Sequence, residues 1–399
     1  MLTERVPEAR SVALGAYVAV GGRDEADDEH GASHFLEHLL FKGTEARSAR
    51  DIARAIDAVG GEMNAYTARE HTAFYARLPA AATGLGLEIL TDVLARPALR
   101  PGEVDGEREV ILEELAAAED DPGDVVHTVL AESLHPGHPL GREVLGTEES
   151  IAGLARDVIA TFHERWYTPA HVVVVAAGAL DHGGVVAAVD GFLDGRAVGA
   201  GPVRQVPTAP IVAQVVVRHP AEQAQLALGW LAFDQHDPDR YPLAVANHAL
   251  GGGMSSRLFQ LIREERGLAY SVWSSVGLSS DTGSLVVEVA TAPTKVAEVL
   301  DLIDTEVAAL VADGITGDEL AVAKGYLEGS FLLGLEDPGS RMARLARSEL
   351  SGTGLVSVET HLARIRAVTA DDVDRAIGRV LAGPRALAAV GPFDELPTR

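Results

Sequence analysis

No cysteine occurs among the 399 residues. That absence excludes disulfides, thiolate nucleophiles and cysteine-ligated zinc, so a bound metal would have to be held by histidine, aspartate or glutamate. Basic charge is scarce as well: 33 Lys and Arg stand against 59 Asp and Glu, a formal net charge of −26 at pH 7. Neutralising a phosphate backbone needs a basic face, so nucleic acid is not an expected partner. The acidic surplus reads as a solvated surface that keeps the protein soluble, and it does not choose a substrate. Long apolar runs are also missing. The longest candidate is VVVVAAGAL from Val172, and the opening residues MLTERVPEAR are charged, with no apolar core of a signal segment. Together these absences predict a cytoplasmic protein that makes no membrane contact.

The chain is 47% hydrophobic and 23% charged, enough for a well-buried core, and its length favours two domains. The least patterned stretch, DGRAVGAGPVRQVPTAP at 194–210, clusters Gly, Pro and small residues near the middle. Before it, hydrophobic period predicts strands at 11–20, 72–78 and 171–177. Helices are predicted at 34–41, 49–59, 82–94, 124–134 and 159–166, with a long one at 104–118. Aligning Ala13-Leu14-Gly15 with Ala227-Leu228-Gly229 brings the two halves into phase as a weak repeat. In that phase His34 faces His248, whereas Glu37 and His38 face Gly251 and Gly252, so the second half repeats the fold without the site. Helices mixed with hairpin-like strand pairs predict an α+β protein. Two homologous domains, 1–195 and 211–399, are expected, each a mostly antiparallel sheet packed with helices.

The chemistry concentrates in GASHFLEHLLFKGT, residues 31–44. At about 100° per residue, His34, Glu37 and His38 fall on one side of a helix, with Phe41 a turn further on. Two imidazoles one turn apart are a ready pair of metal ligands, and His-x-x-Glu-His is the inverted zinc-protease signature, whose Glu takes a proton from water. A hydrolytic zinc site keeps three protein ligands, so a third is needed. On the helix that begins near GEREVILEELAAAEDD, Val104, Ile111, Leu115 and Ala118 define the buried stripe. Glu107 and Glu114 lie together about 50° from its middle, while Glu109 and Glu113 point away. Two carboxylates drawn toward a core call for a positive partner, which a divalent metal would supply. Either feature alone is ordinary packing; together they offer a third ligand and a carboxylate to orient a ligand. No G-x-S-x-G elbow, Walker loop or G-x-G-x-x-G loop occurs, GGGMSS at Gly251 follows a helix rather than a strand, and HPGHPLGRE at His135 reads as a loop.

These segments, with GGEMNAYTAREHTAFYARL at Gly60 and GGGMSSRLFQLIREERGLAYSV at Gly251, resemble the pitrilysin-type (M16) zinc metallopeptidases, most closely the short two-domain members related to the mitochondrial processing peptidase. The likeness runs through nearly the whole chain. The family's third ligand lies about 75 residues after its second histidine, and Glu114, 76 residues after His38, fits that spacing. The resemblance implies one Zn²⁺ on His34, His38 and Glu114, Glu37 as the base, and Glu107 as an auxiliary acidic residue. It implies that Asn64 and Ala65 lie on an edge strand that pairs with an extended peptide. Arg263 and Tyr270 would reach the substrate or its developing oxyanion from the facing half of the enzyme. Relatives usually begin with an extra strand-forming stretch before the equivalent of LTERVPEARS, so the expectation here is either a short first strand or a misassigned start site.

The expected activity is therefore zinc-dependent endoproteolysis of unfolded or extended peptides inside a dimeric chamber, with Arg263 and Tyr270 acting across a homodimer interface. Alternatives are an inactive peptide-binding subunit, an active subunit that needs a different partner chain in a heterodimer, and a non-peptidase zinc hydrolase.

Overall fold

A computed structural model describes residues 1–196 and 199–397. Ala197 and Val198, inside the stretch expected as a linker, and the last two residues of the expected second domain lie outside the described residues. Two compact units result, and each is built on a five-stranded sheet.

In the first unit the strands are β1 (Leu2–Arg5), β2 (Ser11–Val18), β3 (Glu62–Thr67), β4 (Thr72–Pro79) and β5 (Val172–Gly178), ordered β1-β5-β2-β4-β3. Only the short β1 runs parallel to its neighbour. Successive side chains of a strand point to opposite faces. Val12, Leu14, Ala16 and Val18 of β2 therefore face one way, onto helices α1 (Ala32–Leu40), α2 (Ala49–Asp57) and α3 (Thr83–Ala95), in a core with Phe35, Leu36, Leu40, Phe74 and Leu90. Ala13 and Tyr17 face the other way, onto Met342, Leu345 and Ala346 of the helix Pro338–Leu350. Because both faces of β2 are covered, it reads as a nearly unbroken apolar run. After α3 come α4 (Pro101–Asp120) and α5 (Pro122–Leu134).

The second unit repeats this architecture with β6 (Gln214–Arg218), β7 (Ala224–Ala232), β8 (Ala269–Leu278), β9 (Gly283–Thr291) and β10 (Arg385–Gly391), ordered β6-β10-β7-β9-β8 with β6 parallel to β10. Leu226, Leu228 and Trp230 enter the helix-packed core, while Ala227 on the opposite face meets Val126, Leu130 and Leu134 of α5. The fold is thus α+β with two copies of one mixed, mostly antiparallel sheet, as the pattern of elements predicts.

The units do not follow a single cut in the sequence. Residues 117–141, which hold α5, belong to the second unit, and Leu332–Leu355, which holds the helix Pro338–Leu350, belongs to the first. One boundary between residues 195 and 211 accounts for the strands but not for these two helices. The reason lies in the sheets. Both present a face of small residues, and Gly15 and Gly229 occupy the same place in the repeat. A Cβ at Gly15 would come within 2.9 Å of Met342 Sδ and one at Gly229 within 2.9 Å of Leu134 Cδ1, so each glycine makes room for the exchanged helix.

Candidate metal centre

Helix α1 is held at its start by chemistry of its own. Gly31, which precedes it, takes φ +92°, a conformation that favours glycine, and a Cβ there would fall 2.5 Å from Ile151 Cδ1. The amides of Gly31 and Ser33 donate to the two oxygens of the Glu25 carboxylate at 2.8 and 2.7 Å. Glu25 thereby satisfies donors that a helix N-terminus leaves open. Burial pushes its carboxyl up to about 7, against the pull of those amide bonds. Phe35, Leu36, Leu39 and Leu40 sink into the core. That orientation leaves His34, Glu37 and His38 on the half-open side.

Helix α4 supplies the facing carboxylates. Its buried positions are Val104, Glu107, Ile111 and Leu115, one stripe at helical spacing, with Glu114 half-exposed beside it and Glu109 and Glu113 exposed. Arg108 anchors the helix by donating to the carbonyls of Ile151 and Leu154 and by placing its guanidinium 5.3 Å from the Phe35 ring centre.

One potential ligand atom each from His34, His38 and Glu114 lies within 4.8 Å of the others, the one such group among the described residues. Glu114 Oε2 is 3.7 Å from His34 Nε2 and 3.5 Å from His38 Nε2. The imidazoles meet edge to face with centroids 4.7 Å apart. Glu107, only 6% exposed, lies on the other side of His38, its Oε2 3.2 Å from His38 Nδ1. Glu37 accepts a 2.6 Å hydrogen bond from Thr67 Oγ1 at the end of β3. Burial raises the Glu37 carboxyl above its ordinary value, and the Thr67 bond works against that rise. Burial, with His38 alongside, lowers His34 to about 4.

The donor set fits zinc. Two imidazoles and one carboxylate are a known hydrolytic set that leaves a position open. His34 is neutral at pH 7, the form in which imidazole ligates. The carboxylate on His38 Nδ1 sets that ring so that Nε2 is the free lone pair, the arrangement that orients metal-bound histidines.

The remaining sequence candidates fall elsewhere. Asn64 and Ala65 lie on β3, the terminal strand of its sheet, where the Ala65 amide donates to Asn64 Oδ1 at 2.8 Å. Arg263 and Tyr270 belong to the second unit. Arg263 sits in a π-helical stretch, Phe259–Glu265, with its guanidinium 4.7 Å from the Phe259 ring centre and 4.8 Å from that of Tyr270. Tyr270 marks a register shift in β8 and is 79% exposed. His248 stacks on Tyr326 with centroids 4.2 Å apart, and Gly251 and Gly252 lie beyond the end of the helix Arg240–Leu250. Thr67 and Glu25 escaped the reading of the sequence. Thr67 lies within GGEMNAYTAREHTAFYARL, but its role depends on a partner 30 residues away, and no spacing rule ties Glu25 to α1.

The structure is thus a two-unit sheet-and-helix fold in which α1, carrying His-x-x-Glu-His, faces the acidic helix α4, and comparison with known proteins shows the family to which it belongs. The family model described as Insulinase (Peptidase family M16) matches residues 1–148, and that described as Peptidase M16 inactive domain matches residues 153–327. The chain belongs to peptidase family M16. It is 44% identical to an uncharacterized zinc protease of Streptomyces coelicolor over 99% of this chain and 88% of that protein. It is 33% identical to an uncharacterized zinc protease of Bacillus subtilis over 100% of this chain and 97% of the relative. A crystal structure described as a peptidase M16 inactive domain from Pseudomonas fluorescens shares the fold with a TM-score of 0.91 at 20% identity, covering 99% of this chain and 96% of the other. A protease from Helicobacter pylori does so at 0.89 and 20% identity, covering 97% and 96%. Among the described residues no helix is long and apolar enough to cross a membrane.

Proposed function

We propose that the chain is a zinc-dependent endopeptidase acting on unfolded or extended peptides. The observation that carries this reading is the convergence of His34, His38 and Glu114 within 4.8 Å, beside a glutamate, Glu37, on the same helix as the two histidines. Zinc held there supplies a Lewis acid for a peptide carbonyl and makes a water molecule easier to deprotonate. The rest is done by side chains of this protein. Glu37 accepts the proton of the attacking water and returns it to the leaving amine, and its elevated pKa makes it a stronger base once ionised. Thr67 fixes where that carboxylate points. Glu107 acts through His38 rather than on the substrate, because its carboxylate faces Nδ1.

Substrate enters this reading as a strand. β3 is the terminal strand of its sheet, and an extended peptide adding to its outer edge gains main-chain hydrogen bonds with little demand on side chains, the Ala65 amide exchanging its bond to Asn64 Oδ1 for one to the peptide. Arg263 and Tyr270, side by side on the second unit and in part exposed, are assigned to the substrate carbonyl, contributed by the other chain of a homodimer that encloses the peptide in the cytoplasm. The intact set His34, Glu37, His38 and Glu114 favours an active enzyme over a binding-only subunit.

The test is Glu37→Gln. The variant should bind zinc as wild type does and lose about 10²–10⁴-fold in turnover of an unstructured fluorogenic peptide, the range for removing a general base. Cleavage at the wild-type rate would show that Glu37 is not the base.

A further inference from the structure

Lys42 has no part in the roles assigned above, yet its surroundings are specific. Its amide donates to the Leu39 carbonyl, an i→i−3 bond in the turn that closes α1 just past its end. It follows His38 by four residues and His34 by eight, on the side of the helix that bears both imidazoles. The chain then leaves sharply. Gly43 takes φ +127°, and a Cβ there would meet the Arg47 carbonyl oxygen at 2.7 Å. Fully buried Thr44 fastens the next step by donating to Asp92 Oδ2 at 2.8 Å and accepting from the amides of Ala46 and Arg47. The side chain of Lys42 therefore departs from a fixed backbone.

That side chain reaches inward. Nζ lies 2.6 Å from Glu107 Oε1, while the other oxygen, Oε2, faces His38 Nδ1 at 3.2 Å. The Glu107 side chain is 8% exposed and that of Lys42 39%, so a cation stretched in from the half-open side meets an otherwise enclosed carboxylate. A carboxylate so enclosed is costly without a positive partner. Charge-assisted bonds to a carboxylate are also the short, directional ones.

We propose that Lys42 is a positioning residue for the metal centre. By holding Oε1 of Glu107 it aims Oε2 at His38 Nδ1, which keeps the proton on that nitrogen and leaves His38 Nε2 free to face His34 and Glu114. The stripe His34, His38, Lys42 is then one device, two ligands followed by the cation that orients the second of them. The ion pair supplies what a hydrogen bond from a neutral residue would not, a fixed charge opposite a fixed charge.

This proposal rests on the zinc reading of the site, and its test separates the two. Metal-free full-length protein is titrated with zinc against a chromophoric chelator for wild type, K42M and K42R, and the ring nitrogens of His38 are followed by ¹⁵N NMR in the same metal-free samples. K42M should bind zinc about 10–100-fold more weakly, the range for loss of an orienting partner, and its His38 ring should no longer be held in the Nδ1–H form. K42R, which keeps a cation able to bond the carboxylate, should stay within about threefold of wild type. Wild-type affinity and an unchanged His38 tautomer in K42M would overturn the proposal while leaving the zinc reading intact. Equal weakening in K42R and K42M would overturn it too, since the charge would not then be what matters. Wild type that takes up no zinc would refute the zinc reading and this proposal with it.

Discussion

Replacing Thr67 by Val tests how the site tunes its base. The two side chains have nearly the same shape, so the substitution removes little beyond the 2.6 Å hydrogen bond to Glu37. Burial already raises the Glu37 carboxyl and the Thr67 bond opposes that rise. Removing the donor therefore moves the carboxyl further up, and at a given acidic pH a smaller fraction is in the basic form. A hydrogen bond to a charged acceptor contributes about 1.5–3 kcal/mol. Glu37 stands at the half-open side of α1, where water replaces part of the lost bond, and about 1 kcal/mol is the fairer figure, a factor of roughly 5 in the ionised fraction. The assay is kcat/KM against pH for an internally quenched unstructured peptide, with zinc content measured on the same samples. The acid limb of the T67V profile should shift to higher pH, so that the rate well below its midpoint falls about fivefold while the plateau at higher pH changes far less. An acid limb that stays in place or shifts to lower pH, with zinc retained, would refute the assignment of Thr67 and put Glu37 as base in question.

Two further outcomes follow from the packing. G229V should cost about 1–3 kcal/mol through overpacking against Leu134 on the exchanged helix. Combined with L134A, which removes as many carbons as the first change adds, it should cost clearly less than the sum of the two single variants in urea unfolding, and strict additivity would count against the close approach of α5 to β7. Glu25 gives a pH signature. Its folded value, about 7, lies above the ordinary carboxylate range, so between about pH 4.5 and 7 the folded state binds more protons than the unfolded one and stability falls as pH rises. Glutamine at this position does not titrate, so the stability of E25Q relative to wild type should rise across that window by as much as about 3 kcal/mol. A difference that stays flat with pH would show that Glu25 is not held in this state.

Much of the fold was legible in the sequence because most elements announce themselves locally. The predicted strands at 11–20, 72–78 and 171–177 and the helix at 124–134 lie within a few residues of β2, β4, β5 and α5. The repeat was legible too, since Gly15 and Gly229 are small for the same reason. The exchange of α5 and the helix Pro338–Leu350 was not. An apolar helix face says that a helix is buried, but not against which of two similar sheets, and the space for each helix is made by strands far away in sequence. At the site, helical spacing brings His34, Glu37 and His38 to one side of α1 and Glu107 and Glu114 to one border of α4 without outside help. It is silent on Thr67, which matters only once β3 stands beside α1, and although it puts Lys42 on the imidazole side, it does not show that Glu107 of α4 is the partner. The stretch at 194–210 reads as patternless, yet Arg204 within it donates to both oxygens of Asp24 and to the carbonyl of Glu70. Hydrophobic period carries no sign of such a polar anchor.

The central claim is tested most directly by zinc content per chain, measured together with cleavage of an unstructured fluorogenic peptide, for wild type and Glu114→Gln with a chelator control. Wild type should carry one zinc per chain and cleave the peptide in a reaction that the chelator abolishes. In Glu114→Gln, metal content and activity should both be lost or severely weakened. A wild-type chain that binds no zinc, or a variant that keeps both zinc and activity, would contradict it.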